Sequence, residues 1–166
     1  RIVGALNFDI GLFETKDGGD VFVAGNDLVK FYENEGQVYL ALFGGNVKES
    51  TPVVPTPGQE RFDFWGNSFL DVENQFNSRT ERTLSNVSLT SQGRGLIQSA
   101  VEYDLAYLKK YADVSVTVSI IGVNTVRIDI ITKYFTGKKT ITTITYTKLS
   151  TTGDFYLLDF SSQDFF

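Results

Sequence analysis

The C-terminal third of the chain alternates between apolar and polar residues. Valine or isoleucine occupies every second position over 114–120 and again over 126–130, with Ser, Thr, Arg and Asp between them. This period of two is typical of strands with one buried face. Gly122 and Gly137 mark the turns that separate these strands from each other and from a Thr-rich segment, 140–149. The pattern therefore predicts a three-stranded antiparallel meander.

A helical period precedes the meander. Between residues 95 and 111, apolar side chains recur at spacings of three and four. A stripe of this kind predicts an amphipathic helix whose apolar side packs on the sheet. The stripe consists of Ile97, Val101, Leu105 and Leu108.

Two further helices are predicted nearer the N-terminus. The first covers 28–43 and has its clearest pattern from Glu35 onward. The second is short and covers 77–86, where Ser78 and Glu81 have the spacing of a capping box. Residues 90–95, which contain two glycines, are predicted to form a loop between the second and third helices.

The first 25 residues favour short strands. Apolar and polar residues alternate over 6–12, and residues 16–20 read KDGGD, which is typical of a hairpin turn. The fold class is therefore α+β: an N-terminal strand pair, about three helices and a C-terminal antiparallel β-meander packed on the last helix. The length of 166 residues favours one domain, which we assign to 1–150. Residues 151–166 form a C-terminal extension, apolar enough for a further strand.

The composition restricts the chemistry. The chain contains no Cys and no His, so it lacks thiolate chemistry, the commonest general base and the commonest transition-metal ligand. The net charge of −5 argues against nucleic acid as a partner, because phosphate contacts need a basic surface. No apolar run approaches the ~20 residues of a membrane helix. We expect a protein that is not an enzyme, has no cofactor or metal and does not span a membrane.

Three polar clusters have alternative interpretations. Residues 17–20, with the nearby acidic and amide side chains, suit either a calcium loop or a polar hairpin turn. Residues 92–95 suit either an anion-binding helix start or a plain loop. Glycoside hydrolysis needs two carboxylates, although acidic residues beside surface aromatics are more often a solvated rim. The carboxylates around the aromatic cluster are Glu60, Asp63, Asp71 and Glu73.

Aromatic residues make up 14% of the chain, which suits a protein that binds partners. The aromatic cluster around Phe64 and Trp65 is either core or the anchor of a protein interface. The Thr-rich segment 140–149 has two faces of mixed polarity, which suits an edge strand or one that pairs with another chain. The Lys138-Lys139 pair and Lys148 equally suit protection against such pairing. The residues assigned to a candidate assembly interface are Phe64, Trp65, Thr142, Ile144, Tyr146, Phe155 and Tyr156.

The order of several short segments resembles a known family. NDLV at 26–29 leads into EGQVYLALFGG at 35–45, then FWGN at 64–67 and NSR at 77–79, before the last helix and the meander. This order resembles the baseplate tail protein of Mu-like contractile phages, within the baseplate wedge or sheath-initiator family. The chain departs from the family where Phe64 replaces a Trp and Asn67 replaces an Asp. It also has KYAD at 110–113, where the family often has Glu-Pro-Arg.

The resemblance implies a structural role. Such proteins lie in the tail baseplate of the virion, which is assembled in the cytoplasm of the host bacterium. They surround the tail tube in several copies arranged in a ring, bind wedge, tube and sheath proteins, and offer a sheet edge to which the first sheath ring adds strands. The alternative function is a carbohydrate-binding or adhesion module that uses surface aromatics such as Trp65.

Overall fold

The protein is described by a computed structural model. Contacts divide the chain into two compact units, Arg1–Asn77 and Ser78–Phe166. The residues that the structure describes are 8–10, 12–15, 18–21, 23–24, 26–28, 30–32, 35–44, 69, 71, 78–149 and 155–165.

The described part of the first unit consists of short antiparallel strand pairs followed by a helix. β1 pairs with β6, β2 with β3 and β4 with β5. Thr15 faces Gly18 across the β2–β3 hairpin, which confirms the turn predicted from KDGGD. The elements are β1 Phe8–Ile10, β2 Leu12–Thr15, β3 Gly18–Val21, β4 Val23–Ala24, β5 Asp27–Leu28, β6 Lys30–Tyr32 and α1 Glu35–Phe43.

The first helix is shorter than predicted. Residues 28–34 were assigned to it, but β5 and β6 precede α1, which begins at Glu35. Lys30 pairs with Ile10, and β6 lies antiparallel to β1. A short apolar run fits the period of a helix as well as that of a strand. Residues 30–32 form a strand because they pair with β1, about 20 residues earlier in the chain. Within α1, Leu42 and Phe43 are fully buried.

The second unit begins with two helices, α2 Arg79–Asn86 and α3 Ser91–Asp104, and a 3₁₀ helix, Ala106–Lys110. The Ser78 side chain accepts a hydrogen bond from the Glu81 backbone N–H at 3.4 Å, which confirms the predicted cap of α2. Thr90 caps α3 by accepting from the Gly93 N–H at 3.2 Å. The prediction of a loop over 90–95 is therefore wrong, because residues 92–95 lie within α3, which begins at Ser91.

The tight corner between α2 and α3 requires a glycine at position 93. A Cβ atom on Gly93 would lie 1.9 Å from the Ser88 carbonyl oxygen. The backbone of the corner therefore passes too close to α3 for any other residue. Gly95 has no atom within 4 Å of the same position, so it carries no such constraint.

The rest of the second unit is a four-stranded antiparallel sheet in the order β10-β9-β8-β7. The predicted meander is confirmed, and the C-terminal extension contributes the fourth strand. Helix α3 packs against β7. The fold is thus α+β, with three helices followed by the meander. The strands are β7 Ala112–Gly122, β8 Thr125–Tyr134, β9 Lys139–Lys148 and β10 Phe155–Phe165.

The core of the second unit lies between α3 and one face of this sheet. Val118, Ile128 and Ile144 are neighbours across three strands and are at most 1% exposed. The helix residues of the predicted stripe are all at most 2% exposed: Ile97, Val101, Leu105 and Leu108. The apolar stripe predicted from the sequence is therefore the helical half of the core.

We expect Gly93→Ala to destabilise the protein by about 3 kcal/mol, because the new methyl group overlaps the Ser88 carbonyl. Gly95→Ala is the matched control on the same helix. There the methyl group is unobstructed and alanine favours the helix, so we expect a gain of up to about 1 kcal/mol. Urea denaturation of both variants measures these changes. Equal effects of the two substitutions would contradict the close approach at Gly93.

Candidate interface at the edge of the sheet

Hydrogen bonds at the ends of the strands show which neighbour the backbone N–H and C=O groups of each residue point toward. The Tyr134 N–H donates to the Lys138 carbonyl at 2.8 Å, and the Lys148 N–H donates to the Asn124 carbonyl at 2.7 Å. In an antiparallel pair, residues that bond to one neighbour alternate with residues that bond to the other. The backbone N–H and C=O groups of the even-numbered residues of β9 therefore point toward β8, and those of the odd-numbered residues point toward β10.

This alternation identifies the backbone groups on the outer side of β10, the side that faces away from β9. Tyr156, Ser161 and Gln163 are registered with odd-numbered residues of β9, so their backbone groups are directed inward. The backbone groups of Leu157 and Ser162 are then directed away from the sheet. In the part of the chain that the structure describes, no strand pairs with this outer side.

The side chains of β10 are unusually apolar for an edge strand. Tyr156 is 41% exposed, Leu158 59% and Phe165 44%. The strand has 11 residues and contains no Lys, Arg or Pro, the residues that protect sheet edges from pairing with other chains. A register shift between Leu157 and Asp159 is its one protective irregularity among the described residues. β10 thus has the character of a strand acceptor.

Polar contacts hold the inner side of β10 in register at its C-terminal end. The Asp164 carboxylate accepts from Lys138 Nζ and from the Thr140 hydroxyl, each at 2.8 Å. Partial burial alone would raise the pKa of Asp164, but these two hydrogen bonds and the Lys138 charge together hold the pKa below its usual value. The hydroxyls of Thr142 and Ser162 lie 3.3 Å apart. The Asp164 carboxylate is therefore charged at neutral pH and held by Lys138 and Thr140.

Aromatic contacts hold both ends of β10. The Phe155 ring meets the Tyr146 ring edge-on, with centroids 5.4 Å apart. At the other end, Lys139 Nζ lies 5.6 Å from the centroid of the Phe165 ring. These contacts hold both ends of β10 against β9. The backbone groups on its outer side are therefore already in an extended conformation.

The end of β9 that faces Phe155 is joined to α2 by a lysine. Lys148 Nζ donates to the carbonyls of Leu84, Ser85 and Val87 at 3.0, 2.9 and 2.8 Å. Partial burial lowers the pKa of Lys148. An ammonium group at a helix C-terminus is favourable, because it meets the negative end of the helix dipole and carbonyls that have no partner within the helix.

The other end of α2 is held by a carboxylate from α3. Asp104 accepts from the Arg79 N–H at 2.9 Å and from the N–H and hydroxyl of Thr80, both at 2.7 Å. Burial, the largest effect, raises the pKa of Asp104 despite these hydrogen bonds. Charges of the favourable sign therefore lie at both ends of α2, and each comes from a different element.

Three of the residues assigned to the interface are buried instead. Thr142, Ile144 and Tyr146 are 4%, 0% and 3% exposed, on the face of β9 that contributes to the core. The prediction that 140–149 is an edge strand is wrong, because β8 and β10 pair with both sides of β9. Threonine suits a central strand here, since its hydroxyl finds a neighbouring strand to bond.

The remaining assigned residues lie on β10 or outside the described residues. Phe155 is half-buried against Tyr146, while Tyr156 is exposed. Phe64 and Trp65 lie outside the described residues, so their role as interface anchors and the adhesion alternative stay predictions. The interface predicted from the sequence omits Leu157, Leu158 and Phe165, although the apolar run 155–158 indicates an exposed apolar strand there.

The described residues also bear on metal binding, on membrane spanning and on the predicted carboxylate cluster. Among them, no group of three or more His, Cys, Asp or Glu side chains has an arrangement that could hold a metal ion. No described helix is both long enough and apolar enough to span a bilayer. Glu60, Asp63 and Glu73 lie outside the described residues, and Asp71 is exposed.

Comparison with models of protein families, with curated proteins and with solved structures finds no match to this chain.

We expect Lys148→Met to destabilise the protein by about 2 kcal/mol, because it leaves the α2 carbonyls without their charged donor. Lys133→Met, at an exposed position on β8, is the control and should change stability by less than about 0.5 kcal/mol. Thermal and urea unfolding measure both variants. A Lys148→Met protein as stable as the control would contradict the role of this contact.

The raised pKa of Asp104 gives a pH dependence with a definite sign. The folded protein holds this proton more tightly than the unfolded chain, so the resulting stability is fully present below about pH 4 and is lost as the pH rises through the folded-state pKa. Asn cannot ionise but still offers an oxygen to Arg79 and Thr80. The stability of Asp104→Asn relative to wild type should therefore rise as the pH increases from about 4 to 7. Urea denaturation across this range measures the difference, and a change of the opposite sign would refute the explanation.

Proposed function

We propose that this chain is a structural component of the baseplate of a contractile tail or injection system. It binds wedge and tube proteins and nucleates sheath assembly by accepting a strand. The observation that carries the proposal is the outer side of β10, an 11-residue strand with exposed apolar side chains and no described strand beside it. The order of short segments that resembles the sheath-initiator family supports the same function.

Strand addition at β10 is physically favourable for two reasons. An incoming strand would bond to the outward backbone groups of residues such as Leu157 and Ser162, which the sheet itself leaves to solvent. It would also cover part of the exposed apolar surface of Tyr156 and Phe165, and such burial is worth about 25 cal/mol per Å². Because the inner side is already anchored, little ordering of β10 opposes binding.

The charge of β10 indicates the chemistry of the incoming segment. The strand contains Asp159 and Asp164 and no basic residue. Asp164 is paired with Lys138, whereas Asp159 is exposed. We therefore expect an extended segment of a sheath subunit, rich in β-branched residues, with a Lys or Arg placed to face Asp159.

A proline in β10 tests the proposal in the particle that contains this chain. Ser162→Pro removes an outward N–H, a position where an edge strand tolerates proline, and puts a ring in the path of an added strand. Ser162→Ala loses the same hydroxyl contact with Thr142 but keeps the N–H. Tails that lack the chain, or that carry Ser162→Pro, should show tubes without an attached sheath by electron microscopy.

Tails complemented with wild type or Ser162→Ala should be sheathed. Circular dichroism and thermal unfolding of the purified variants verify that both fold. Normal sheathed tails in the absence of the chain would refute the proposed function. Normal sheaths with a folded Ser162→Pro protein would refute strand addition at β10.

A further inference from the structure

The opposite edge of the sheet, β7, also has outward backbone groups. The Phe135 N–H donates to the Tyr111 carbonyl at 3.1 Å, just before β7 begins. By the alternation of an antiparallel pair, odd-numbered residues of β7 are directed toward β8 and even-numbered ones away from it. The outward groups therefore include those of Val114, Val116 and Val118.

Helix α3 and the 3₁₀ helix lie beside one half of this edge. A cavity of about 200 Å³ lies there, lined by Glu102, Leu105 and Lys109 from the helical side and by Val114 and Val116 from β7. Glu102 and Lys109 therefore place charged side chains beside the first half of β7.

A single arginine contacts the other half. The guanidinium of Arg94 reaches from the first turn of α3 and donates to the outward Val118 carbonyl at 3.4 Å. The close packing of Gly93 on Ser88 fixes the start of the helix that carries it. Without Arg94, this half would be attractive to another strand, since Ile121 and Val123 nearby are 57% and 94% exposed.

We propose that Arg94 closes the β7 edge, so that the sheet accepts new strands only at β10 and growth is one-sided. The inference rests on the proposed function, because it takes β10 to be a strand acceptor. A sheet with two open edges could join the β10 edge of one copy to the β7 edge of the next. Such head-to-tail contacts build open-ended polymers unless the rotation between copies closes a ring. A charged side chain on one edge prevents this and leaves β10 for the sheath.

The test is the self-association of the full chain. Arg94→Ala should associate head to tail, with an average mass in sedimentation velocity that rises about two-fold or more over wild type at high concentration. Lys110→Ala is the control, because it removes one positive charge from an exposed position. The double variant Arg94→Ala/Ser162→Pro should return to the wild-type mass, since both edges of the contact are needed.

An Arg94→Ala protein that is folded and has the wild-type mass would overturn the inference. Association that persists in the double variant would also overturn it, because a different surface would then be responsible. These outcomes are separate from the sheath experiment. Unsheathed tails with Ser162→Pro would uphold the proposed function even if Arg94 proved irrelevant. Sheathed tails with a folded Ser162→Pro protein would refute strand addition at β10 whatever Arg94 does.

Discussion

The second unit depends on a short helix that is held at both ends by charges from outside it. Helix α2 has only eight residues, too few to be stable alone. Asp104 of α3 supplies acceptors for its first N–H groups, and Lys148 of β9 supplies donors for its last carbonyls. Because each charge belongs to a different element, the two contacts connect the helices to each other and to the sheet.

These contacts also bear on the candidate interface. Lys148 faces Phe155 at the start of β10, so the lysine that holds α2 lies where the last strand enters the sheet. At the far end, Lys138 holds Asp164. The two lysines were interpreted from the sequence as protection against pairing with other chains. In the structure both lysines make contacts within the chain. β10 itself contains no basic residue.

Local patterns in the sequence predicted the larger elements, and non-local contacts decided the rest. The apolar stripe of α3 and the alternation in β7 and β8 were strong enough to predict both the elements and the core. The start of α1 was predicted wrongly because β6 pairs with the distant β1. The start of α3 was missed because Gly93 serves a close approach to Ser88 that no local pattern reveals. The position of β9 in the sheet depends on β10, which follows it in the chain, so its own composition could not identify it as a central strand.

The two edge strands of the sheet, β7 and β10, differ in what lies beside them, which their amino-acid composition does not reveal. Both strands have 11 residues and both present outward backbone groups. β7 lies beside helices, and the helix that supplies the buried stripe also presents Arg94 to its edge. β10 receives no such side chain from the described elements, and its own residues supply apolar surface instead. An antiparallel sheet always ends in two edges, so covering one of them is the simplest way for a helix layer to give assembly a direction.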